Sequence, residues 1–196
     1  MPATTDTTLL SDSVINFAEA KAQQDKKCYR LEYPITTEKG EVIEELWMRR
    51  PLVRDKQVAE WQSSEEALFE VTLRLLAAVT EQPLDVMENL DSELDMAEML
   101  DLLNKSFKSQ PKVDGDTLIL SYPITIKGKA VERLTLQRPK AKDALTYKNE
   151  KVREAMARLV GYRIEDLLEM DLLTDWLGLE QIYLSFRKRQ PKRQQG

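Results

Sequence analysis

From Tyr29 apolar and polar side chains alternate: Tyr29, Leu31, Tyr33 and Ile35 share one parity, and Arg30, Glu32, Pro34 and Thr36 the other. That period of two predicts a half-buried strand. Pro34 has no N–H for a ladder, so it belongs at an open edge. Glu38-Lys39-Gly40 predicts a turn whose glycine takes positive φ, and Val42 to Arg49 returns as a second strand with Leu46 and Met48 facing in. Arg50-Pro51 ends the hairpin, because proline restricts the residue before it and suits the first position of a helix.

The period then lengthens. Ser63-Ser64-Glu65-Glu66 is a capping-box signal, and Leu68, Val71, Leu75 and Val79 form one stripe of a helix ending near Thr80. Pro83 opens a short helical turn from Leu84 to Leu90. Asp91 or Ser92 caps a further helix carrying Met96, Met99, Leu100, Leu103 and Phe107 at helical spacing.

The same succession follows again. Leu118, Leu120, Tyr122, Ile124 and Ile126 alternate, Lys127-Gly128 turns, and Val131 to Gln137 comes back. Val152, Ala155, Met156, Leu159 and Val160 then mark a helix face that stops at Gly161. The last helix, about Leu172 to Phe186, is apolar on more than one face and is expected to be covered. The two halves share words as well as periods: Tyr33-Pro34-Ile35-Thr36 returns as Tyr122-Pro123-Ile124-Thr125, and Gly40, Arg50-Pro51 and Asp55 return as Gly128, Arg138-Pro139 and Asp143. Leu90-Asp91 likewise aligns with Met170-Asp171. Internal repetition of this kind governs the fold assignment. The expected fold is α+β, two tandem modules, each a β-hairpin followed by two or three α-helices. Their expected limits are 29–107 and 118–186, with an N-terminal arm and short helix at 1–28, a linker at 108–117 and a basic tail at 187–196.

Modules of under ninety residues bury a limited share of their surface. They are therefore expected to pack on each other, on a second copy or on a partner. The net charge is −5, yet residues 187–196 hold five basic side chains and no acid, so the body is acidic and the tail basic. An acidic body argues against nucleic acid as the main partner. No apolar run has the length of a membrane span, and the first residues lack the features of a signal peptide. The lone Cys28 fits a reducing compartment.

With no histidine in the chain, the usual triads and most transition-metal sites are excluded, and no glycine-rich phosphate loop is present. An enzyme is not expected, nor a metal or cofactor. Between Arg74 and Lys105 stand eight acids and no base, with Met87, Met96 and Met99 among them. Such a stretch is either an ordinary amphipathic pair with methionine in the core, or a groove whose adaptable Met surface and acidic rim accept a helical partner. The candidate contact residues are Met87, Met96, Met99, Leu100, Leu103, Trp176, Leu177 and Tyr183. The recurring pairs Arg50 with Asp55 and Arg138 with Asp143 read as structural corner contacts.

A strand ending in Tyr-Pro-Ile-Thr, a Gly turn, a strand closing in Arg-Pro, an Asp four residues later, then a helix and short acidic turns: this set resembles the tail assembly chaperones of Mu-like and related contractile-tailed phages. It extends over about residues 29–107 and 118–186, and the second module is the closer match; the first departs at Trp47 and has an extra turn residue. The resemblance implies a non-enzymatic protein of the infected host cytoplasm, absent from the mature virion, that binds the tape measure protein and helps tail tube protein polymerise around it. A structural tail or neck component is the alternative, and a nucleic-acid adaptor working through the basic tail a third.

Overall fold

Alternation does produce the two hairpins, with one interruption in the same place in each. The structure, a computed structural model, describes residues 25–62, 68–140, 143 and 150–188. Residues 1–24 of the expected N-terminal arm, the Ser63–Glu66 capping signal and the basic tail from 189 onward lie outside these residues, and the last two residues of the expected arm, Lys27 and Cys28, belong to the first strand. The fold is α+β: two small sheets and six α-helices among the described residues.

Strand β1 (Lys27–Thr36) pairs antiparallel with β2 (Val42–Met48). Tyr29, Leu31, Ile35, Leu46 and Met48 are buried on one face, but Tyr33, of the same parity, is 63% exposed. The register explains the departure. Arg30 pairs with Glu45 and the next pair is Ile35 with Ile43, so four residues of β1 stand opposite Glu44 alone. Extra residues in one strand break the ladder and rotate the side chains between. Pro34, which has no ladder proton to lose, sits in that interval and is exposed. Gly40 closes the turn at φ 78°, and the Thr37 amide donates to the Glu41 carbonyl at 2.8 Å.

The chain divides into two compact units that are not consecutive: residues 1–50 with 76–106, and 51–75 with 107–196. In the first unit the hairpin is followed in space by the end of α2 (Leu68–Thr80), by α3 (Leu84–Met87) and by α4 (Asp95–Phe107). The Arg49 amide donates to the Val79 carbonyl at 2.9 Å, tying the end of β2 to the end of α2. Leu76, Val79, Met87 and Met99 are fully buried there.

The second unit begins with a helix that the sequence pattern did not reveal, α1 (Val53–Gln62). Its sheet has three strands, β3 (Lys112–Asp114), β4 (Thr117–Ile126) and β5 (Lys129–Thr135), in the order β3-β4-β5. Part of the stretch read as linker is thus a strand: Lys112 to Asp114 pair with Ile119 to Thr117. Between β4 and β5 the register shifts from Ile119–Arg133 to Ile124–Val131, so four residues including Tyr122-Pro123 face Glu132 alone. The two hairpins belong to separate sheets. Helix α5 (Val152–Leu159), a 3-10 turn (Ile164–Leu167), a π-helical turn (Leu172–Trp176) and α6 (Leu177–Lys188) complete the unit. What reads as one final helix from Leu172 is therefore two segments of different pitch. Leu118, Leu134, Met156, Leu167, Met170 and Leu179 fill the core, and Val53 of α1 joins them. At Gly178 an added Cβ would stand 2.5 Å from Pro111 Cβ and 2.8 Å from a Leu118 methyl, so only glycine lets α6 approach this closely.

Candidate partner-binding surface

A register shift leaves ladder amides without strand partners, and buried amides must be satisfied. In each unit an aspartate does this. Asp175, in the π-helical turn, is 0% exposed and accepts from the Ser121 amide at 2.9 Å and the Tyr122 amide at 3.3 Å, one oxygen each. Asp95, the first residue of α4 and also 0% exposed, accepts through Oδ1 from the Glu32 amide at 3.0 Å and the Tyr29 hydroxyl at 2.9 Å. Among the described residues its Oδ2 has no hydrogen-bond partner. The Tyr29 hydroxyl also donates to Glu98 at 3.0 Å, and burial together with the two carboxylates holds its pKa well above the usual tyrosine value. These aspartates escaped attention in the sequence as two acids among many. The available signal was their placement, each four residues after the aligned pair Asp91 and Asp171.

That aligned pair carries matching local geometry too. Asp171 accepts from the Thr174 amide at 2.6 Å, and Asp91 from the Leu94 amide at 2.7 Å. Directly after, the Trp176 amide reaches back five residues to the Asp171 carbonyl (2.9 Å) and the Met96 amide five residues to that of Asp91 (3.0 Å). The hydroxyl-free corner residues match likewise: Asp55 accepts from the Leu52 amide at 2.8 Å and Asp143 from the Lys140 amide at 2.6 Å. Asp55 stands in the first turn of α1 and its side chain holds the amide just before that turn. Arg138, expected beside Asp143, faces Asp116 at 3.5 Å and lies over the Phe186 ring.

With Asp95 inside, the acidic stretch of the first unit divides by role. Glu81, Asp85, Glu88, Glu93, Glu98 and Asp101 are exposed and Asp91 half-buried. Glu81 pairs with Lys26 at 2.9 Å and Asp101 with Lys105 at 2.5 Å. Of the candidate contact residues, Met87, Met99, Leu103 and Trp176 are buried in the cores, whereas Met96, Leu100, Leu177 and Tyr183 are half-buried. Met96 and Leu100 share α4 with the exposed acids. Tyr183 lines a cleft of about 180 Å³ with Pro139, Lys140 and Asp143. Trp176 borders another, also about 180 Å³, with Val53 and Met156; there Arg153 and Glu60 form an ion pair. On the outer face of the first hairpin Trp47 is 54% exposed opposite Cys28, whose thiol pKa is raised by its surroundings and by Glu45. A thiol held protonated is a poor nucleophile. Among the described residues no group of three or more Cys, Asp or Glu side chains is placed to hold a metal ion, and no helix is long and apolar enough to cross a membrane.

Residues 117–186 match the model of the family described as phage tail assembly chaperone proteins, E, or 41 or 14. The match begins at β4 and runs into α6. No curated protein and no solved structure matches the chain.

Proposed function

We propose that this protein is a phage tail assembly chaperone that binds the tape measure protein and promotes polymerisation of the tail tube around it. The observation that carries the reading is the match of residues 117–186 to the tail assembly chaperone family. The first unit supports it by a different route: half-buried Met96 and Leu100 lie on a helix bordered by exposed acids. Methionine repacks around varied shapes, and a carboxylate rim draws in the basic side chains of a long helical client. The role needs no covalent chemistry, so the protein acts by reversible holding in the host cytoplasm.

Deleting the gene and analysing finished particles by mass spectrometry tests this. A chaperone is required for tails yet absent from intact virions. Stoichiometric recovery of the chain from purified particles supports a structural tail or neck component instead, and normal tails without the gene remove the assembly role.

A further inference from the structure

The two hairpins share a backbone plan and differ on the face turned away from their cores. In the second hairpin one outward cross-strand pair is Thr117 with Thr135, whose hydroxyls meet at 2.9 Å. Such a pair is at home in water. The matching pair of the first hairpin is Cys28 with Trp47. Trp47 is 54% exposed and Val42, aligned with Ala130, is 60% exposed. Tyr33 is exposed as well, whereas its counterpart Tyr122 is half-buried.

Charge diverges with it. The first hairpin carries exposed Glu41, Glu44 and Glu45 where the second has Lys129, Glu132 and Arg133. Among the described residues none of the three glutamates of the first hairpin forms an ion pair. Arg30 stands opposite Glu45 in the ladder, so three carboxylates face one guanidinium and the face is negative. The Cys28 thiol donates to Glu45 at 3.6 Å, which sets that carboxylate beside the Trp47 pair. Next to it the register shift opens a hollow of about 460 Å³ lined by Arg30, Leu31, Glu32, Pro34 and Glu44. Tryptophan is the side chain most often found at the energetic centre of an interface, and its ring face attracts cations.

We propose that this outward face of the first hairpin is a second contact for the client, taking a segment that lays an apolar side chain on Trp47 and brings a Lys or Arg to Glu44 and Glu45. The proposal rests on the reading of the protein as a tail assembly chaperone. The occupant is that client because α4, in the same unit, presents the same chemistry: Met96 and Leu100 among exposed Glu93, Glu98 and Asp101. One basic, apolar chain suits both surfaces. The second hairpin, with Thr117, Thr135 and Arg133 in these places, does not.

Trp47→Thr and Glu45→Arg install the second hairpin's residues at two exposed positions, so circular dichroism is expected to match the parent. The full-length parent and each variant are co-expressed with the tape measure protein of the same phage. The complex is then treated with iodoacetamide and the peptide holding Cys28, the chain's one thiol, is followed by mass spectrometry. In the parent complex Cys28 is expected to be alkylated several-fold more slowly than in the free chain. Each variant is expected to recover several-fold less client, with the effect of Glu45→Arg largest at low salt. Capture by both variants equal to the parent's, or Cys28 alkylated as fast in the complex as in the free chain, overturns this contact and leaves the chaperone reading standing. A parent that captures no client overturns both. Alkylation in the free chain that quickens on dilution places a second copy on the face and overturns the proposal.

Discussion

Asp175 and Asp95 hold matching places in the two units and are satisfied differently. Both carboxylates of the pair collect amides freed by a register shift, but Asp175 has a donor on each oxygen, while Asp95 offers one oxygen to Glu32 and Tyr29 and keeps the other without a partner beside Glu98. The shared device is equally buried in both units and left partly unsatisfied, among the described residues, in the first. The matching corners, both in the second unit, differ as well: Pro51 is buried and Pro139 is exposed. The helices of the first unit also carry the exposed acids.

Substitution sharpens the contrast. Asp175→Asn places an amide donor against a backbone amide in the core and is expected to cost about 2–4 kcal/mol in urea unfolding. Asp95→Asn keeps the accepting oxygen, puts the nitrogen where Oδ2 has no partner and removes a charge beside Glu98, so a change within about 0.5 kcal/mol is expected. Equal losses at both positions break the comparison. The corner aspartates come next: Asp55→Ala should cost about 1–2 kcal/mol because Asp55 is buried in the first turn of α1, whose Val53 joins the second core, and Asp143→Ala, at a half-buried corner, about 0.5 kcal/mol.

Tyr29→Phe is expected to cost only about 1 kcal/mol at neutral pH, since Asp95 retains the Glu32 amide. Its signature is at alkaline pH. The folded protein keeps the hydroxyl proton beyond the ordinary pKa of 10.0, while the unfolded chain releases it there. Above that pH the unfolded state binds fewer protons, so stability is complete below pH 10.0 and falls as pH rises. Denaturation from pH 9 upward should show a flatter alkaline limb in Tyr29→Phe than in the parent; identical limbs contradict the buried hydroxyl contact.

The hairpins were legible because alternation and a turn glycine act within a few residues of each other. Tyr33 was misplaced because parity assumes an unbroken ladder, and the register shift depends on a partner strand and on Asp95, more than sixty residues away. Helix α1 was missed for a related reason. Its sequence, Val53-Arg54-Asp55-Lys56-Gln57-Val58-Ala59-Glu60-Trp61-Gln62, has no clear apolar stripe, and its position is set by Val53 and the corner bonds to Leu168 and Met170. Strand β3 is three residues with one apolar side chain and exists through its pairing with β4. At the candidate surface, helical spacing marks core and groove alike: Met99 and Leu103 are buried on the same helix whose Met96 and Leu100 are half-buried.

The reading of the acid-bordered helix of the first unit as a client surface has its most direct test in co-expression of the full chain with the tape measure protein of the same phage. The expected result is that the tape measure protein moves into the soluble fraction and co-purifies with the chain. A tape measure protein that stays insoluble in its presence, with the chain itself soluble and folded, contradicts the account.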